Sequence, residues 1–291
     1  MSVPLNIAHR GGAALWPENT LFAFSRSMEM GCDGAEVDVQ LTRDGALAVF
    51  HDFRLNPTLC RRDGAWVKAP LALIRELSLA ELGAIDVGRP KPRSLYARTH
   101  RGLVPRDGEH IPSLKDVIAC VRPAKDFRLF IEIKTSPENR ALSAAPEETA
   151  EAIVALLRAE KFLNRSVLVG FDWPALIHAK RLEPKLFCWF STWRRRTRKG
   201  IAAPWAGGFD PWKFGGSIPE AIKHAGGDGW FASSAQADGR SIAAAHDAGL
   251  KFGVWTVNGA RSMRNLAKFG ADAICTDRPD RLLHAIEQSR R

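Results

Sequence analysis

The chain has 291 residues, 45% of them hydrophobic, and a formal net charge of +10. It can fill a sizeable core, and its charge favours acidic partners such as a phosphodiester, anionic lipid or nucleic acid. No stretch approaches the ~20 apolar residues of a membrane span, and the opening MSVPLNIAHRGG lacks the basic and apolar regions of a secretion signal, which argues against stable membrane insertion and makes a cytoplasmic protein the expectation.

Apolar runs bounded by turn residues alternate with helical patterns along the whole chain, as in a parallel sheet with crossover helices. The runs are Leu5 to His9, Gly34 to Gln40, Arg128 to Lys134, Ser166 to Phe171, Lys185 to Ser191, Gly229 to Ala232, Lys251 to Thr256 and Asp272 to Thr276. Helical patterns include Thr20 to Met30, Glu147 to Lys161, Gly239 to Ala248, Arg261 to Phe269 and Pro279 to Gln288. Eight such runs, in a chain somewhat longer than the ~250 residues typical of the fold, predict one α/β domain over residues 1–291, a (β/α)8 TIM barrel.

Three stretches depart from this alternation. Ala46 to His51 forms a ninth run, joined to the second strand through Asp44-Gly45, a hairpin signal. It should fold back antiparallel and carry His51 beside Glu36. Residues 53–111 are rich in Pro, Arg and Gly and long enough for a small inserted lobe after the second strand. Thr192 to Ser217 is a second excursion and holds the sharpest basic run, Arg194 to Lys199. That run reads as a solvated loop in preference to a nucleic-acid or membrane patch, since no aromatic and glycine RNA-binding motif accompanies it.

Cys32, Cys60, Cys120, Cys188 and Cys275 are odd in number, and none belongs to a CxxC pair. They read as reduced, small core residues.

The chemistry concentrates on two strands. Residues two apart on a strand share a face, so Glu36 and Asp38 project together, as do Glu132 and Lys134. Unpaired carboxylates inside an apolar barrel cost several kcal/mol each. A divalent metal on Glu36, Asp38 and Glu132 compensates them, and all-oxygen ligands select a hard ion, Mg2+ or Ca2+. The competing interpretation is a buried ion-pair network of these three with Arg10 and Lys134. His9 ends the first strand and His51 the hairpin, and two imidazoles on opposite sides of a phosphorus centre can serve as base and acid. Arg10 and Lys134 can hold phosphoryl oxygens. Glu18 is read as a tether for Arg10, Asn19 or Thr20 as a helix cap, and Asp277 and Asn258 as caps of the last two helices. Phe171 and Trp255 near strand ends either wall the substrate pocket or belong to the core.

These residues resemble the glycerophosphodiester phosphodiesterase family. The matching segments are HRGGAALWPENTLFAF, GAEVDVQLTRDGALAVFHD, LFIEIK, GVWTVNG and GADAICTDRP, in order from residue 9 to residue 279. The resemblance implies a barrel fold, acid-base work by His9 and His51, metal binding by Glu36, Asp38 and Glu132, and phosphate contacts from Arg10 and Lys134. It also implies release of glycerol 3-phosphate and an alcohol from a small-molecule substrate, with no nucleic-acid partner. One departure stands out: Leu55-Asn56-Pro57-Thr58-Leu59 follows His51-Asp52 where family members often carry Leu-x-Arg-Thr-Thr, so the lobe is where the choice of head group is least transferable. The alternatives are a related barrel phospholipase acting on lysophospholipids or forming a cyclic phosphate, and a non-catalytic module for anionic ligands. A binder has no need of paired acid-base groups.

Overall fold

The computed structural model describes residues 3–193 and 203–289. The basic run Arg194 to Lys199 lies outside the described residues. Among those described, eleven strands form: β1 (Leu5–Ala8), β2 (Gly34–Leu41), β3 (Leu47–Val49), β4 (Arg61–Arg62), β5 (Ala65–Trp66), β6 (Arg128–Ile133), β7 (Ser166–Gly170), β8 (Phe187–Thr192), β9 (Gly229–Ser233), β10 (Lys251–Trp255) and β11 (Ala273–Thr276). β1, β2 and β6 to β11 pair in parallel in that order around the sheet, and β11 returns to β1. Closure leaves the barrel without an edge.

Helices Leu21–Glu29, Leu114–Val121, Pro146–Ala159, Trp173–Leu182, Ile218–His224, Gly239–Asp247, Ala260–Phe269 and Pro279–Ser289 separate and follow the barrel strands. This is the (β/α)8 TIM barrel that the alternating runs predict. Thr20 caps the first helix, its hydroxyl accepting from the Ala23 N–H at 3.1 Å, whereas Pro146 opens the third, where a missing N–H costs nothing. Outward-facing Val37, Val39, Ile131, Ile133 and Leu168 join the helices in one apolar shell.

Inward-facing residues make a second core of Ile7, Phe130, Val167, Val169, Trp189, Phe231, Ala273 and Cys275. Two residues further along the same strands, on the same face, come His9, Glu132, Phe171 and Asp277. An apolar plug therefore floors a polar pocket at the C-terminal mouth, where barrels of this kind carry their sites. Trp189 fills much of the plug and meets Phe130 edge to face at 5.2 Å. It needs glycine opposite: a Cβ on Gly229 would lie 2.6 Å from the Trp189 indole, and one on Gly253 2.8 Å from it.

β3 runs antiparallel to β2, pairing Val39 with Val49 and Leu41 with Leu47, as Asp44-Gly45 predicts. The residues that follow form a lobe with its own apolar cluster, in which Leu55, Cys60, Ile74, Leu82, Ile85, Val87 and Ile111 pack on Ala48 and Phe50 of the hairpin. The lobe thus braces the strand that ends in His51. All five cysteines are free, and Cys32, Cys60, Cys188 and Cys275 are buried.

Gly229→Ala should destabilise the protein by about 1–3 kcal/mol through overpacking against Trp189, read as a lower midpoint of denaturant unfolding. An unchanged midpoint would mean that the indole has room to shift.

Candidate active site

Glu36 and Asp38 are each 1% exposed, and the sheet register places Glu132 directly across from Asp38. One carboxylate oxygen from each of the three lies within 4.8 Å of the others. Burial pushes Glu36 well above the usual carboxylate range, reinforced by Asp38 and Glu132 and only partly opposed by Arg10. Burial acts on Asp38 in the same direction, but Arg10, His51, Lys134 and a hydrogen bond from Asn19 outweigh it and hold Asp38 well below that range. Lys134 lies 2.7 Å from Glu132 and 3.6 Å from Asp38. Burial works against its charge, yet these two carboxylates raise its pKa.

Arg10 reaches Asp38 at 3.1 Å and Glu18 at 2.9 Å, and its backbone N–H donates to Glu36 at 3.1 Å. Burial disfavours the cation, but Glu18, Asp38 and Glu36 around it raise its pKa. A strained turn aims this side chain: Arg10 has φ 50°, and Gly11 and Gly12 have φ 80° and 98°, the left-handed region that suits glycine. Gly11 is also required by space, since a Cβ there would lie 2.7 Å from that of Ala23. Glu18 is the tether that the sequence suggests. Asn19 is not the helix cap; its Nδ2 donates to Asp38 at 2.8 Å.

The two histidines flank this cluster. His9 Nε2 lies 3.8 Å from Glu36, and its Nδ1 is 2.6 Å from Asp277. Asp277 accepts in turn from Asn258 Nδ2 at 2.7 Å. Asp277 and Asn258, expected as helix caps, instead form a chain behind His9, because closure of β11 on β1 sets the residue after Thr276 beside the residue after Ala8. Burial raises Asp277, but the hydrogen bond and charge of His9 bring it down to about 2. His51 Nδ1 lies 2.7 Å from Asp52, whose second oxygen accepts from Asn56 at 2.6 Å. The hairpin brings His51 to the carboxylate cluster: the Phe50 N–H donates to the Asp38 carbonyl at 3.0 Å, and His51 is among the groups acting on the Asp38 charge.

The opposite side of the mouth is aromatic. Phe171 and Trp255, from β7 and β10, meet at 5.2 Å, and Trp193 and Trp205 join them at 4.7 and 4.8 Å. All four are half-buried, and Trp255 packs in part against the inner core.

A family model described as the glycerophosphoryl diester phosphodiesterase family matches residues 9–281. The chain belongs to that family. It is 29% identical, with 98% of each chain covered, to a glycerophosphodiester phosphodiesterase of Caldanaerobacter subterraneus subsp. tengcongensis. A crystal structure from Silicibacter pomeroyi superposes with a TM-score of 0.88 at 29% identity, covering 99% of this chain and 95% of that one. An Oleispira antarctica phosphodiesterase, solved with the product sn-glycerol-3-phosphate, gives 0.73 at 25% identity, covering 98% and 97%. Membership makes the chain a phosphoric diester hydrolase. Among the described residues no helix is long and apolar enough to cross a membrane.

The carboxylate cluster fits a hard cation. Glu36 Oε1 and Asp38 Oδ1 are buried without a hydrogen-bond partner among the described residues, which is costly unless another positive group meets them. A pH dependence follows from the raised pKa of Glu36. The stability that its neutral form contributes is present below the ordinary value of 4.5 and lost as pH rises through the higher folded value. A cation bound there would replace that proton. The rise in Tm on adding Mg2+ or Ca2+ to metal-free protein should therefore grow as pH is raised through this range, in a thermal scan at several pH values. A rise that is largest in acid would contradict the assignment.

Proposed function

We propose that the chain hydrolyses glycerophosphodiesters to glycerol 3-phosphate and an alcohol, with His9 and His51 as the acid-base pair. The observation that carries this reading is that both imidazoles have Nδ1 tied to a carboxylate, Asp277 for one and Asp52 for the other, on either side of a cation-seeking cluster. A carboxylate on Nδ1 leaves Nε2 as the working nitrogen and steadies the ring while it gains and loses a proton. The product bound to the Oleispira antarctica neighbour supports the choice of product.

Glu36, Asp38 and Glu132 would hold Mg2+ or Ca2+, which would supply positive charge to offset the negative charge of the phosphoryl group. Arg10 and Lys134 meet the phosphoryl oxygens. The side of the lobe at 53–111 that faces the barrel, away from its exposed residues 91–101, and the aromatic wall face the alcohol and select the head group. Free cysteines throughout suit a reducing compartment such as the cytoplasm.

A neighbouring hydroxyl held close gains a large effective-molarity advantage over water, and the glycerol 2-hydroxyl is such a neighbour. Its oxygen attacks phosphorus and its proton passes to His9 Nε2. The bond to the alcohol breaks, and that oxygen takes a proton from His51. Water then attacks the five-membered cyclic phosphate and gives a proton to His51, while the bond from phosphorus to the 2-oxygen breaks and that oxygen takes back the proton held by His9.

His9→Ala and His51→Ala should each lower kcat by roughly 10² or more, with the fold intact by circular dichroism. Normal turnover in either variant would remove that histidine from the mechanism. Separately, a substrate analogue lacking the 2-hydroxyl should be cut poorly while the parent diester is cut well; comparable rates would show that water attacks directly.

A further inference from the structure

The lobe carries a surface that the reaction does not use. Residues 87–106 contain no acidic residue and six cations, Arg89, Lys91, Arg93, Arg98, Arg101 and Arg106. Arg89 pairs with Asp107 and Arg106 with Glu109. Lys91, Arg93, Arg98 and Arg101 are exposed and pair with no carboxylate among the described residues. Apolar side chains stand among them. Leu95, 77% exposed, is the most exposed large apolar residue among those described, and Val104 is 59% exposed.

This segment is anchored by its other side. In the short helix Leu95–Thr99, the Tyr96 hydroxyl donates to Glu18 at 2.6 Å, and its ring stacks on His100 at 4.0 Å. The Val104 N–H donates to the Leu15 carbonyl at 2.8 Å. Leu95 and Arg98 are three apart and so share a helix face, which leaves an apolar tip beside a free cation while Tyr96 points to the barrel.

We propose that this face docks the protein on an anionic lipid surface. Cations attract the negative leaflet, and an aliphatic tip between them enters the head-group layer. A single-stranded nucleic-acid face would instead present aromatic rings for base stacking, but here Tyr96 and His100 stack on each other and Tyr96 is tied to Glu18. The same Glu18 holds Arg10, so docking sets the catalytic mouth next to the membrane. The proposal does not depend on the course of the reaction.

The test is co-sedimentation of the full chain with phosphatidylcholine vesicles, with and without phosphatidylglycerol, beside a titration with duplex DNA and single-stranded RNA. The wild-type protein should bind only the vesicles containing phosphatidylglycerol. Each removed cation should weaken binding about fivefold, so the Arg93→Gln, Arg98→Gln, Arg101→Gln triple variant should lose roughly a hundredfold. Leu95→Gln should weaken binding severalfold without changing charge. Both variants should turn over a soluble glycerophosphodiester like the wild type, which reports an intact fold. Undiminished vesicle binding by either variant, binding to phosphatidylcholine alone, or tighter binding to nucleic acid than to vesicles would overturn the proposal.

Discussion

Three carboxylates share one small space, two of them cut off from water, and the rest of the mouth is arranged around that constraint. Glu36 and Asp38 are almost fully buried, and Glu132 lies across from Asp38 in the sheet. Like charges this close, in a medium of low dielectric, repel strongly unless opposite charge is near. Arg10 and Lys134 supply two positive charges of fixed position, and Asn19 adds a hydrogen bond to Asp38. The left-handed turn at Arg10, with its two glycines, exists because an ordinary β-to-α connection would not bend the guanidinium back over Asp38 and Glu18. Backbone strain of this kind persists where packing over-determines it, and here Gly11 is pressed against Ala23.

The two histidines are held by different means. His9 depends on closure: its partner Asp277 is 268 residues away in sequence and arrives only because β11 pairs with β1. His51 depends on the hairpin and on the lobe behind it, through Asp52, Asn56 and the apolar cluster that includes Phe50. One arm of the proposed acid-base pair is therefore built into the barrel. The other is held by the hairpin and the lobe packed behind it.

Most of the fold was legible because the barrel repeats a simple period. Apolar runs with turn residues at their ends mark strands irrespective of what they contact, and the Asp44-Gly45 turn is a local signal for the hairpin. The side-chain period of two likewise united Glu36 with Asp38 and Glu132 with Lys134 before any contact was visible. Asp277 and Asn258 were misread because their local context, just ahead of a helix, is that of a cap; only the pairing of first and last strands reveals their target. Asn19 was hidden in the same way by its neighbour Thr20, which is the cap. The aromatic wall was visible only in part, since Trp193 and Trp205 lie in an irregular excursion where no period applies.

The claim that a hard cation completes the carboxylate cluster is tested most directly by the steady-state rate of glycerophosphodiester hydrolysis in protein freed of all divalent metal. The account predicts no turnover in that state and recovery on addition of Mg2+ or Ca2+, with recovery impaired in Glu36→Gln. Full turnover in the demetallated protein would contradict it and leave Glu36, Asp38, Glu132, Arg10 and Lys134 as a buried ion-pair network alone.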